Sequence, residues 1–345
     1  MSLAVLETLL RTSDDYEGGQ PSEKLIDAAR SWLNAAQTEA VLVPDTANAL
    51  QHLSPVGASF VATLLGNVAE VHRGAERSFD QLWALFFAWC SECNASEPVD
   101  ESRRPMLVEA LTGVGPALVS HLAQLPDRRS ALRADSTVMG LLGDLADEIA
   151  GVCWVFQALR MSSGSLVALH PTSANGWRLR YENVADCFHL FTLLQCALGD
   201  RVPGGRNPNA ALTAAATGLG PAEGLHDQSW WHYGHAFGAT PELGTSIWGE
   251  ALAAEIPSAR GEQVILLWPP ILHGRSWDAG FFTPHLQQMP SQVVLEGQLP
   301  PEQCKEWMEH LGLHASAAAA KTQQVHQLMP NGHRVVERPW WKFWS

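Results

Sequence analysis

The chain has 345 residues, 46% of them hydrophobic and 17% charged, which supplies ample apolar material for a packed core and too little charge for a disordered scaffold. Lys and Arg number 22 against 36 Asp and Glu, a net charge of −14, the opposite of the field that releases counterions from a nucleic-acid backbone. No uninterrupted apolar run approaches the ~18 residues of a membrane span, and the six cysteines follow no framework spacing, so a multipass membrane protein and a disulfide-stapled secreted domain are both excluded.

The opening Met1-Ser2-Leu3-Ala4-Val5-Leu6-Glu7 has no basic segment ahead of a long apolar stretch. With the cysteine usage, this places the protein in a reducing cytoplasm with free thiols. Arg strongly outnumbers Lys, a bias that points to a bacterial source.

The first 160 residues read at helical period. Pro21-Ser22-Glu23 opens a helix with Leu25, Ile26, Ala29, Trp32 and Leu33 as its apolar stripe. Pro44 starts a second, carrying Ala47, Leu50 and Leu53, and Pro55 a third through Phe60, Leu64, Leu65 and Val68. Ser78-Phe79-Asp80 reads as the cap of a very apolar helix ending near Cys90. Two more follow, Pro105 to Leu125 and Ser136 to Leu159.

Near Ser162-Ser163-Gly164 the period changes. Leu166 to His170 and Trp177 to Tyr181 read as strands, with Asn175-Gly176 as a type I′ turn between them, since both residues tolerate positive φ. A helix runs from Val184 to Leu198. Residues 200–247 read as one long Gly/Pro-rich loop. Val264 to Trp268 is a buried strand, Gln292 to Glu296 another, and Pro300 to Leu311 a helix. Asn331-Gly332 marks a last hairpin with His333 to Glu337 as its second arm. The expected fold is α+β. An all-helical domain over 1–162, a bundle or irregular stack, precedes a mixed α+β domain over 163–345.

Motifs are sparse. No Gly is followed by Lys, which removes the phosphate-cradling loop, and neither HExxH nor GxSxG occurs. Cys90-Ser91-Glu92-Cys93 is a lone CxxC closing a helix, where buried inert thiols are expected rather than a redox pair or a zinc site. His226, Asp227, His232 and His235 fall within ten residues, and neutral imidazole with carboxylate is a ligand set for zinc or another divalent metal. The plainer reading is a loop held by stacking and ordinary hydrogen bonds, with no cofactor. His273, Arg275 and Asp278 follow the buried strand. Arg275 can hold a carboxylate or phosphate, and Asp278 can orient His273 as a base. The plainer reading there is a surface Arg275–Asp278 ion pair worth ~0–1 kcal/mol.

Ten of the 14 tryptophans lie after Ser165. Trp177, Trp268 and Trp307 sit in regular elements and are expected in the core. Trp230, Trp231, Trp248 and Trp277, with Tyr233, sit in expected loops and suggest a recognition surface or aromatic pocket. The tail, Arg338-Pro339-Trp340-Trp341-Lys342-Phe343-Trp344-Ser345, is too aromatic to stay in water. Docking on its own domain is expected, with a homodimer contact as the alternative.

These features favour a cytosolic bacterial interaction protein without catalysis. It would be an acidic partner of a basic protein, such as a toxin neutraliser or an accessory subunit, and would bind neither nucleic acid nor membrane. The alternative is a metal-dependent hydrolase using the 226–235 histidine cluster, with His273 or Arg275 opposite.

Overall fold

The computed structural model describes residues 2–39, 41–72, 74–95, 102–228, 232–234, 247, 249, 251–268, 276–278, 282–283 and 285–313. The chain divides into two compact units, Met1–Ser162 with Pro284–Pro290, and Ser163–Thr283 with Ser291–Ser345.

The first unit is helical: α1 Ser2–Asp14, α2 Glu23–Ala36, α3 Leu42–Ala49, α4 Pro55–His72, α5 Phe79–Cys93, α6 Arg103–Gln124, α7 Pro126–Ala134, α8 Ser136–Ala146 and α9 Ala150–Arg160, with 3₁₀ turns at Leu50–His52 and Ala75–Arg77. The Ser22 hydroxyl caps α2 by accepting from the Leu25 amide, and Leu25, Ala29 and Trp32 are buried as the spacing requires. Ile26 instead falls on the outer face. Two helices have no counterpart in the sequence reading. In α7 only Arg129 is buried, so there is no apolar stripe to read. In α1 the buried set is short: Leu6, Leu9 and Ser13. The helix expected from Ser136 to Leu159 is two, because Ile149 turns extended (φ −121°, ψ 107°) and buries its side chain between α8 and α9.

α6 is the axis of this unit. Leu107, Leu111, Val114, Leu118 and Leu122 are essentially inaccessible. By length and composition α6 is long and apolar enough to cross a bilayer, which the search for uninterrupted apolar runs did not anticipate, and most of that stretch is buried. Neighbouring helices touch it backbone to backbone. A Cβ on Gly115 would lie 2.5 Å from Gly151 Cα of α9, and one on Gly151 would lie 2.7 Å from the Leu111 carbonyl carbon. A Cβ on Gly66 of α4 would lie 2.7 Å from Ala117 Cα. Residues 284–290 belong to this unit through buried Leu286 and Met289, with Arg129 donating to Met289 Sδ at 3.5 Å.

The second unit contains β1 Ser162–His170, β2 Asn175–Val184, β3 His226–Gln228, β4 His232–Gly234, β5 Ser258–Ala259, β6 Glu262–Trp268, β7 Ser276–Asp278 and β8 Gln292–Gln298, with helices α10 Cys187–Leu198, α11 Ala210–Ala216 and α12 Pro301–His310. One mixed sheet has the order β4-β6-β1-β2-β8, with β5 on β6, while β3 and β7 form a separate pair. β1 and β6 are parallel, Leu166 opposite Gln263 through Leu169 opposite Leu266. Both faces are covered, which is why these two strands read as continuous apolar runs. Leu166, Ala168, Ile265 and Leu267 pack with α10, and Val167, Leu169, Val264 and Leu266 pack with α12 through Cys304, Trp307 and Met308. The chain is therefore α+β.

The hairpin turn is not at Asn175-Gly176. Those residues begin β2, and residues 171–174 make the turn, with Ala174 at φ +52°. The glycine is required by packing instead, since a Cβ on Gly176 would lie 2.8 Å from both Leu169 Cδ2 and Leu299 Cδ1. Residues 200–247 are not one irregular loop either, because α11, β3 and β4 lie in them. Trp177 and Trp307 are buried as expected. The hairpin expected at 331–337 and the aromatic tail lie outside the described residues.

The α6 crossings make a sharp test. Gly151→Ala should lower unfolding stability by about 3 kcal/mol, because backbone atoms must move apart. Gly140→Ala in α8, where a Cβ meets nothing within 4 Å, should raise it by roughly 0.5–1 kcal/mol. Urea titration of both variants checks the pair, and equal effects would contradict the crossing.

Candidate functional site

The residues singled out for chemistry fall on short strands of the second unit. His226 and Asp227 are in β3, His232 and Tyr233 in β4, and Trp277 and Asp278 in β7, so Trp277 is in a strand rather than a loop. The register of β3 with β7 places His226 across from Asp278 and Asp227 across from Trp277. It thus joins two segments that the sequence treats as separate clusters. β4 runs elsewhere, with His232 opposite Trp268 and Tyr233 opposite Leu267 on the sheet edge. Of the proposed quartet, His226 and Asp227 are therefore in one sheet and His232 in another. Trp230, Trp231, His235, Trp248, His273 and Arg275 lie outside the described residues. Among the described residues, no group of three or more His, Cys, Asp or Glu side chains is placed to hold a metal ion.

None of the six cysteines is in a disulfide. Burial pushes the Cys90 and Cys93 thiols above their ordinary range, so neither is an activated thiolate at neutral pH.

A polar row runs along α10 at intervals of three residues. Asp186, His189, Thr192 and Gln195 are all buried in an otherwise apolar core. Asp186 caps the helix, its carboxylate accepting from the His189 amide at 2.9 Å and from the Thr283 hydroxyl at 3.4 Å, while Thr283 accepts from the Ala185 amide. His189 Nε2 faces the Ala216 carbonyl at 2.6 Å, so that nitrogen carries the proton. Among the described residues Nδ1 has no hydrogen-bond partner, and the ring stacks on Phe282 with centroids 4.9 Å apart. Burial lowers the His189 pKa to about 4, the bond to Ala216 opposing it.

The helical unit holds a second arrangement, which sequence reasoning missed. Ser78 precedes α5 and was expected to cap it, but its hydroxyl makes no capping bond. It pairs with His121 Nε2 of α6 at 2.8 Å, while His121 Nδ1 donates to the Ala117 carbonyl at 2.7 Å. The geometry fixes the tautomer, with Nδ1 protonated and Nε2 accepting from serine. Burial holds the His121 pKa below its usual value. Beside this pair lies a cavity of about 230 Å³, lined by Val43, Leu65, Val68, Ala69, Arg77 and Ser78 among others. A serine–histidine pair beside a cavity meets the first requirements of nucleophilic catalysis. Yet Ser78 is 1% exposed, His121 is fully buried, and His121 is not part of the cavity wall. The pair therefore acts as an interior anchor that holds the start of α5 against α6. Its only sequence signal is one histidine among the apolar residues of α6.

Compared with known protein families, with curated proteins and with solved structures, the chain matches none.

His189 predicts a pH dependence. Its folded pKa lies below the unfolded value of 6.5, so the unfolded chain binds the proton first as pH falls. The stability associated with neutral His189 is complete above pH ~6.5 and lost progressively as pH falls toward ~4. Between pH 7 and 5 the loss is about 2 kcal/mol. Urea unfolding at the two pH values measures it, and His189→Gln, which keeps a donor for Ala216 but does not titrate, should remove that share of the difference.

Proposed function

We propose that the chain is a non-catalytic interaction protein that docks on a basic protein partner through its acidic surface. Residues 1–165 contain 21 acidic and 11 basic residues, a net of −10, against −4 for the remainder. The observation that carries the reading is a concentration of unneutralised carboxylates in the first unit. The turn after α1, which carries Asp15 and Glu17 in its sequence, meets α6 at Glu109, where a Cβ on Gly18 would lie 2.6 Å from Glu109 Oε1. Tyr16 pins this turn, its ring against Phe60 at 5.6 Å and its hydroxyl donating to the Gly19 carbonyl at 2.7 Å. Asp14 is committed to the Ser54 amide, but none of the other three carboxylates has an ion pair among the described residues. A basic surface brought against such unneutralised carboxylates gains attraction, and complementary charge speeds encounter. In this reading the chain works in the cytoplasm, with neither nucleic acid nor membrane as partner, and its aromatic tail docks on its own domain, a contact with a second copy being the alternative.

A second reading, a metal-dependent hydrolase, draws support from the β3–β7 register, which sets His226 and Asp227 across from Asp278 and Trp277. Stoichiometric zinc in purified protein, lost in a His226→Ala/Asp278→Ala double variant, would favour it over the first.

The docking reading is tested by association kinetics with the product of the adjacent gene. The triple variant Asp15→Lys, Glu17→Lys, Glu109→Lys should slow association about tenfold and flatten its salt dependence with little change in melting temperature. An unchanged association rate would refute docking at this surface.

A further inference from the structure

We propose that the cavity in the helical unit is a binding site for a small aliphatic carboxylate, independent of the protein-docking reading. The walls and rim differ in chemistry. Val43, Leu65, Val68 and Ala69, contributed by α3 and α4, form an apolar wall that is buried within the unit. At about 230 Å³ the cavity holds on the order of eight water-sized groups at ~30 Å³ each, the scale of a six-carbon acid.

The rim carries the cation. Arg77 ends the 3₁₀ turn Ala75–Arg77 and immediately precedes Ser78, so the Ser78–His121 bond that anchors Ser78 also fixes where Arg77 leaves the backbone. Its stem lies alongside Gly74, where an added Cβ would be 3.8 Å from Arg77 Cδ. Arg77 is exposed and makes no ion pair among the described residues. Glu39 and Glu76 are neighbours in sequence but not part of the cavity wall. Among the described residues no carboxylate lines the cavity, which disfavours an amine. The guanidinium, by contrast, presents a planar fork matched to two carboxylate oxygens. The first turn of α5 beside this rim carries Asp80, which pairs with Arg128 at 3.3 Å, so the positive charge at the rim is that of Arg77. An apolar tail with one negative head fits both halves.

The test uses the full chain and hexanoate as probe, with hexan-1-ol and acetate as the tail-only and head-only controls. Calorimetric titration should show hexanoate saturating one site per chain, with both controls far weaker. Arg77→Ala alters only an exposed side chain, so the protein should stay folded while hexanoate binding weakens about tenfold, as expected for loss of a charge-assisted hydrogen bond. Methyl-resolved NMR of the wild-type chain should show shifts at Val43, Leu65 and Val68 on adding hexanoate. Failure to saturate, equal affinity in Arg77→Ala, or methyl shifts confined to other residues would overturn the assignment.

Discussion

The helical unit depends on the distance of closest approach at α6. Gly115 and Gly151 let α6 and α9 meet at their backbones, and Gly66 does the same for α4 against Ala117. Such crossings replace side-chain interdigitation with direct backbone contact, and they fix helix positions more tightly than a Leu-on-Leu interface does. With α6 held on two sides, the Ser78–His121 bond finds its partner at a set height. The turn carrying Arg77 and the apolar wall of α4 then enclose a cavity rather than collapsing on it. The same approach accounts for a helix apolar enough to cross a bilayer, because the face from Leu107 to Leu122 is buried in the unit, while Glu109 and Thr112 stay exposed on the other side.

In the second unit the comparable constraint is the parallel pairing of β1 with β6. A parallel pair must have both faces covered, and α10 and α12 provide that cover. The price of the arrangement is the polar row on α10, which lies in the core and has to be satisfied there. Asp186 is satisfied by amides and a hydroxyl, while His189 is accommodated by staying neutral.

Each unit thus buries a histidine whose proton is placed by a backbone carbonyl, Ala117 for His121 and Ala216 for His189. Among the described residues neither ring has a carboxylate partner, and each is held by the backbone carbonyl it donates to.

Read alone, the sequence determined the fold class, the helix-to-sheet transition near Ser162, the buried strand over Val264 to Trp268 and most helices of the first unit. These follow from local periodicity, which a neighbour a few residues away is enough to set. It misplaced the turn at Asn175-Gly176 because glycine serves two purposes, positive φ and close approach, and only the packing of Leu169 and Leu299 shows which applies. It read Ser78 as a cap because the competing partner, His121, lies 43 residues away. It treated the His226 and Asp278 segments as separate because their pairing spans a long intervening chain. Tertiary structure alone decided these points. In each case a long-range contact outbid a local preference worth only about 1 kcal/mol, and nothing in the neighbouring sequence records that contact.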